Sequence, residues 1–310
     1  MNSDFYTVLD YEKDFFNVGD YIQSLAVIES LKRGGVEKIN FAQRENLAYY
    51  TPLRVIMQGW FARSDGFIPN KFQKPLYVGF HLRDALAKKD ILQKIVRQKR
   101  GAIGCRDLRT LSYFGDRGYF SRCLTLTFDK IPRPAEPKDV IVACYTKESP
   151  ADEFLRHLPP AVLEQARILT HRDGAEAGAN RQERFVLAKE RLQAYAQAKL
   201  VITNLLHCAL PCVAMGVPVV FVNDFCADIR SRRTALAGIL PVLKVSDLKN
   251  LNYEAIPVVN IDKLKVAMRE NFRLSFLQAF GGGEFKDVKA LADAREEIRA
   301  FISDEYYNFL

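Results

Sequence analysis

The sequence predicts an α/β protein of two Rossmann-like, doubly wound domains, and three observations carry that expectation. Short β-branched runs alternate with amphipathic stretches over residues 5–110 and again over residues 140–222. Between the two series lies FDKIPRPAEPKD, Phe128 to Asp139, whose three prolines, several charges and missing apolar period read as an interdomain linker. A chain of 310 residues also exceeds what one small core organises, so domains are expected at 1–130 and 131–310.

In the first series Phe5 to Leu9 reads as a strand, Asp20 to Arg33 as a helix closed by Gly34 and Gly35, and Lys38 to Phe41 as a second strand. Further strands are expected at Arg54 to Gln58, Leu76 to Phe80 and Ala102 to Cys105, with a basic helix at Asp84 to Arg100. The second series begins with strand Val140 to Tyr145, helix Asp152 to Leu158 and strand Arg167 to Thr170. In the next helix, Glu183 to Lys199, the residues Phe185, Ala188, Leu192, Tyr195 and Ala196 recur at helical spacing and form a core face. Strand Leu200 to Thr203 follows, then an apolar helix Leu205 to Met215 bent at Pro211 and ended by Gly216, then strand Pro218 to Val222. After Gly281-Gly282-Gly283 one more helix sets Phe285, Val288, Leu291, Ile298 and Phe301 on a shared face. Two such sheets facing across a cleft, with a last helix able to cross back, describe a GT-B-like arrangement.

Composition narrows the class. Hydrophobic residues make up 48% and charged residues 26%, which excludes disordered and collagen-like chains. No run approaches the length of a membrane span, and the start MNSDFYTVLDYEKDFF carries acids where a secretory signal carries a basic and then an apolar segment, so a cytoplasmic protein is expected. The six cysteines sit mostly inside apolar runs, as free buried cysteines do, and His207 with Cys208 and Cys212 is too small a set for zinc, so no metal is expected. The net charge of +8 gathers at Arg230, Arg232 and Arg233 and along Lys88, Lys89, Lys94, Arg97, Lys99 and Arg100. Such an excess favours acidic partners, either phosphorylated substrates or an anionic surface. Aromatic residues do not interleave with these cations, which argues against nucleic acid.

Candidate binding residues stand where strands end, because ligands of open parallel sheets collect at the carboxyl edge. His207 lies just inside the helix that follows strand Leu200 to Thr203. Asn17, Gly19 and Asp20 stand before the first helix, Gly19 allowing a tight turn and Asp20 capping the helix. Gln58-Gly59-Trp60 and Gly79-Phe80-His81-Leu82-Arg83 close the third and fourth strands, and Arg106 follows the fifth, where its guanidinium suits a forked contact to carboxylate or phosphate.

Taken together, NVGDYIQSLA, GFHLRD, IGCRDLRT and YAQAKLVITNLLHCALPCVAMGVPVVFV resemble the polysaccharide pyruvyl transferase family, in the family's order, from about residue 14 to residue 225. The resemblance implies a GT-B-like fold. It also implies transfer of the enolpyruvyl unit of phosphoenolpyruvate onto two sugar hydroxyls, giving a cyclic pyruvate ketal and phosphate, with no cofactor beyond this donor substrate. The family's last motif reads Thr, Ser, Arg, Leu, His, which Thr203, Asn204, Leu206 and His207 fit or nearly fit, while Leu205 stands where the arginine is expected. Leucine has no donor, and losing a charged hydrogen bond costs about 1.5–3 kcal/mol, so either another cation such as Arg230 or Arg184 substitutes, or this chain uses phosphoenolpyruvate poorly, or its donor differs.

On this reading Arg106 and the amides at the helix start near Leu205 hold the donor, His207 is the acid or phosphate partner, and Asp20 takes the hydroxyl proton. Asn17, Gly19, Gln58, His81, Arg83, Thr203, Asn204, Leu206 and Arg230 complete the expected substrate contacts. The acceptor is a saccharide of a bacterial surface polysaccharide or its lipid-linked precursor, and the basic helix Asp84 to Arg100 would then rest on the inner leaflet. A glycosyltransferase of similar architecture using a nucleotide sugar is the alternative, and a non-enzymatic polyanion binder is a third.

Overall fold

The computed structural model describes residues 5–12, 16–50, 52–61, 65–137, 139–145, 150–172, 180–222 and 234–303. The chain divides into two compact units, one made of Met1–Phe15, Gln23–Thr127 and Lys263–Ala300, the other of Phe16–Ile22, Phe128–Asp262 and Phe301–Leu310.

The first unit holds a six-stranded, wholly parallel sheet of β1 (Tyr6–Asp10), β2 (Ile39–Gln43), β3 (Arg54–Phe61), β4 (Lys74–Leu82), β5 (Ile103–Cys105) and β6 (Gly118–Phe120). Their order is β2-β1-β3-β4-β5-β6, so the winding reverses between β1 and β3. The central strands β3 and β4 are buried on both faces, which is why VIM and LYVGF read as continuous apolar runs instead of alternating ones. Their register slips between Met57 and Gly59, and Gly59 (φ 141°) takes up the irregularity in a backbone region that side chains avoid. Helix α1 (Val18–Arg33) passes from the second unit into this one, and α2 (Lys89–Gln98) and α3 (Leu108–Phe114) follow β4 and β5.

The second unit is a four-stranded parallel sheet of β7 (Val140–Cys144), β8 (Ala166–Thr170), β9 (Leu200–Thr203) and β10 (Val219–Phe221), in the order β10-β9-β7-β8. Its reversal lies between β7 and β9, whose residues are all buried. The helices are α4 (Pro150–His157), α5 (Pro160–Leu163), α6 (Arg181–Gln197) and α7 (Leu206–Met215). An Asn180–Glu183 capping box starts α6. Pro211 lies inside α7, and Gly216 (φ 75°) ends it in the left-handed conformation while its N–H reaches Cys212 O and Val213 O. Cys144, Cys208 and Cys212 here, and Cys105 and Cys123 in the first unit, are buried thiols outside any disulfide.

Three expectations are corrected. Helix α1 begins at Val18, two residues early, so Asp20 lies inside the first turn and Asn17 caps the helix, its Oδ1 accepting from Gly19 N at 2.9 Å. The basic helix starts at Lys89, because Asp84 to Leu86 form a separate 3-10 turn whose Asp84 binds Arg109 and Tyr113. Elements without a sequence expectation include β6, the four-residue helix α5, and the 19-residue helix α8 (Asp262–Phe280) that precedes the expected last helix, α9 (Val288–Ala300). The bulk of α8 belongs to the first unit, where Phe276 and Phe280 pack on Tyr6 with ring centroids 4.7 and 5.4 Å away. Among the described residues no helix is long and apolar enough to cross a membrane.

Candidate functional site

Two separate groups of polar side chains collect at strand ends, one in each unit. In the second unit the reversal between β7 and β9 is built by Thr203. Its hydroxyl donates to Ala143 O on the neighbouring strand (2.8 Å) and accepts from Leu205 N (3.0 Å), fixing the turn into α7. Thr203 is fully buried and serves as this brace, while Leu205 is half-buried at the N-cap of α7 and no side chain caps the helix. His207 is the second residue of α7, beside buried Leu206, and Asn204 keeps its Oδ1 buried without a hydrogen-bond partner among the described residues.

The first turn of α1 docks on the same strand ends. Val18 N donates to the His171 carbonyl at 2.9 Å, and His171 N donates to Cys144 O at 3.0 Å, so the residue after β8 links α1 to β7. At Gly19 a Cβ would lie 2.9 Å from His171 Nδ1, 3.1 Å from Asn17 Oδ1 and 3.1 Å from His207 Cβ. The fold thereby brings Asn17, Gly19 and His207 together around one point, with Asp20 buried in the adjoining turn. An anion is favoured here, because the uncapped N-terminus of a ten-residue helix points its amides at the reversal of a parallel sheet.

His171 was not anticipated. Its ring is buried, with Nε2 2.8 Å from the Tyr195 hydroxyl. Burial, helped by the charge of Arg191, pushes its pKa down from 6.5 to about 3, so the ring is neutral at any working pH. The signal was available: ILTHRD puts a histidine directly after a strand, as the segment around His207 does. Arg184, one expected substitute for the missing arginine, donates to Tyr21 Oη at 3.0 Å and lies over the Phe16 ring. Arg230, the other, lies outside the described residues.

In the first unit Arg106, 1% exposed, donates to Gln23 Oε1 at 3.0 Å. Gln58 Nε2 donates to Gln23 O (3.1 Å), and its Oε1 accepts from Leu124 N (3.2 Å). His81 Nδ1 is 2.5 Å from Asp107, which also caps α3 through Thr110 N. Burial alone would raise the Asp107 pKa, but His81, Arg106 and the Thr110 amide outweigh it and hold the carboxyl below its usual range. Arg83 is exposed. Gln58, His81 and Arg106 are thus held in one buried network. Among the described residues no group of histidine, cysteine and carboxylate is placed to hold a metal ion.

Residues 17–224 match the family described as polysaccharide pyruvyl transferase, a span that begins at Asn17 and runs past His207. The chain belongs to this family. Membership makes it a transferase that acts on polysaccharide, with a saccharide as acceptor. No curated protein matches the sequence. Among solved structures, the chain is similar to a functionally uncharacterised protein from Klebsiella pneumoniae subsp. pneumoniae NTUH-K2044 (TM-score 0.43, 13% identity, covering 76% of this chain and 88% of that one). It is also similar to the wall teichoic acid polymerase TagF in its H444N form with CDPG (TM-score 0.41, 9% identity, 96% and 90% covered) and to the calicheamicin glycosyltransferase CalG4 (TM-score 0.29, 15% identity, 64% and 53% covered).

Proposed function

We propose that the protein transfers the enolpyruvyl unit of phosphoenolpyruvate to a saccharide and closes it into a pyruvate ketal. The observation that carries this reading is the convergence of His207, Asn17 and the open start of α7 at the reversal between β7 and β9, in a chain that belongs to the pyruvyl transferase family. The α7 amides attract the donor's phosphate or carboxylate. His207 delivers a proton to C3 of the enol as the first sugar hydroxyl adds to C2, and Asp20 takes that hydroxyl's proton. The C2–O bond to phosphate breaks, the developing cation at C2 is captured by the second hydroxyl, and phosphate leaves with the remaining proton. Two O–H protons are lost by the sugar; one ends on the new methyl group and one on phosphate, so no redox partner or metal enters the balance. In the first unit we assign Arg106 and Gln58 to substrate binding. The acceptor is assigned to a bacterial surface polysaccharide or its lipid-linked precursor, on the cytoplasmic side, with α2 facing the anionic leaflet.

Thermal unfolding with millimolar phosphoenolpyruvate, beside a panel of nucleotide sugars, tests the donor, since a ligand that binds only the native state raises Tm by mass action. A shift with phosphoenolpyruvate, and phosphate release once a saccharide acceptor is added, are expected. His207→Asn should keep the shift and lose at least about tenfold in turnover. A shift with a nucleotide sugar alone would overturn the proposal in favour of glycosyl transfer.

A further inference from the structure

The first unit carries a cavity that the mechanism above does not use. It holds about 400 Å³, within the size range of ligand pockets, and lies between the last turn of α1 with residues 34–36 and helix α8. Helix α1 ends just before β2, so the cavity lies toward the amino edge of the sheet, opposite the strand ends that carry His81 and Arg106. Its wall is mostly apolar, with Leu31 and Val36 on one side and Val266, Phe272, Phe276 and Leu277 on the other. Val266 is 67% and Leu277 40% exposed, and at about three turns apart they share one line of α8, an apolar strip that calls for a cover. The charged members of the wall are Arg33, Arg269, Arg273 and Glu270. Arg273 grips Glu270 through Nε and Nη2 at 2.8 and 2.7 Å and holds its carboxyl below the usual range. Arg33 Nη2 donates to Glu29 Oε2 at 3.0 Å and to Thr127 O at 3.1 Å, and Arg269 Nη2 donates to the same Thr127 O at 2.7 Å. Two guanidiniums therefore converge on one neutral carbonyl, and three cations meet two carboxylates. Like charges gathered in this way repel, and an oxyanion between them relieves the repulsion. A guanidinium has donors enough to serve Thr127 O and a ligand oxygen at once.

We infer that this cavity binds a dissolved single-chain amphiphile, with its oxyanion head between Arg33 and Arg269 and its apolar chain along Phe272, Phe276 and Leu277. Charge complementarity selects this occupant. A neutral chain leaves the paired guanidiniums unanswered, and a small anion alone leaves the apolar strip bare. A bilayer keeps its chains inside the hydrocarbon and presents only heads, whereas a concave apolar wall fits a chain that has left the membrane. The site goes beyond the transfer reaction and holds whichever donor that reaction uses.

The experiment titrates the full chain calorimetrically with dodecyl phosphate below its micelle concentration, beside dodecyl maltoside as the neutral chain and inorganic phosphate as the bare head. One dodecyl phosphate per chain is expected, with the other two probes at least about tenfold weaker. Arg33→Gln combined with Arg269→Gln should bring dodecyl phosphate down to the level of dodecyl maltoside. Leu277→Glu, at an exposed position, should keep the ligand-free Tm and weaken both chain-bearing probes at least about tenfold. Where the double arginine variant lowers the ligand-free Tm, Leu277→Glu carries the test. Anion preference that survives the loss of both arginines, binding indifferent to Leu277→Glu, or several amphiphiles per chain would overturn the assignment. So would inorganic phosphate bound as tightly as dodecyl phosphate, or capture by anionic vesicles of a chain that takes up no dissolved amphiphile. A groove reserved for a protein partner predicts that dodecyl phosphate does not bind at all, and that result also overturns it.

Discussion

Gly19→Ala is the sharpest perturbation of the candidate site, because one methyl group would press on three of its members. The added Cβ would sit 2.9 Å from His171 Nδ1, 3.1 Å from Asn17 Oδ1 and 3.1 Å from His207 Cβ. None of the three can yield cheaply: the His171 ring is tied to Tyr195 and its backbone to both Val18 and Cys144, Asn17 caps α1, and His207 Cβ is fixed to the buried helix α7. Overpacking of this kind costs about 1–3 kcal/mol. Alanine in place of glycine inside a helix returns about 0.5–1 kcal/mol, and the backbone at Gly19 is not in the left-handed region, so no dihedral strain is added. The net loss of stability is therefore about 0–2.5 kcal/mol, and urea denaturation reads it. Stability is the weaker readout, since the molecule relieves the clash by shifting the start of α1 or the His171 ring by a few tenths of an ångström. That shift moves Asn17 and His207 relative to the start of α7, and phosphoenolpyruvate affinity should fall at least about tenfold. Gly282→Ala, where nothing lies within 4 Å, is the control and should leave both measurements unchanged. Wild-type stability together with wild-type affinity in Gly19→Ala would refute this packing argument.

Further expectations concern charge. The pKa of His171 is lower in the folded chain than the ordinary 6.5, so the unfolded chain takes up a proton that the native ring refuses; stability is complete above pH 6.5 and falls as pH drops toward about 3. Each pH unit in that window costs up to about 1.4 kcal/mol, and subtracting the pH–stability curve of His171→Asn from that of the wild type should isolate this slope. Buried Arg44 is held by Glu45 Oε1 at 2.9 and 2.6 Å among the rings of Tyr11, Trp60 and Phe67. Glu45→Gln should cost about 3–5 kcal/mol in urea denaturation, and Arg44→Met on top of it should recover much of the loss. Leu205→Arg, at the N-cap of α7, should tighten phosphoenolpyruvate binding about tenfold or more by titration, and an unchanged affinity would mean that a resident cation, Arg191 first, already supplies the charge. Partitioning onto anionic over neutral vesicles should fall when Lys89, Lys94 and Arg97 of α2 are replaced by glutamine, each contributing about 1 kcal/mol; equal partitioning of the wild type onto both would remove the membrane contact.

The alternation of β-branched runs and helices was legible because buried parallel strands must be apolar on both faces, and β7 to β10 fall within a residue or two of their sequence expectations. Helix α8 was not legible for a converse reason. Its buried stripe, Leu264, Ala267, Met268, Asn271, Phe272 and Ser275, has helical spacing, but two members are polar, and Asn271 keeps its place through bonds to Tyr119 and Arg295 that no local pattern announces. The cap of α1 was misplaced because Asn17 and Asp20 are equally good caps by type, and the choice is made from outside the helix, by the His171 carbonyl that takes the Val18 N–H and so starts α1 early. The candidate site divides along the same line. Residues set by their own strand end, such as His207 after β9, could be found by reading along the chain. His171 stands in an equivalent position after β8, yet its meaning depends on Tyr195 24 residues later and on a glycine more than 150 residues earlier. A buried ring packed against a backbone that carries no side chain leaves almost no trace in sequence, because the close approach is met by the residue type that has nothing there.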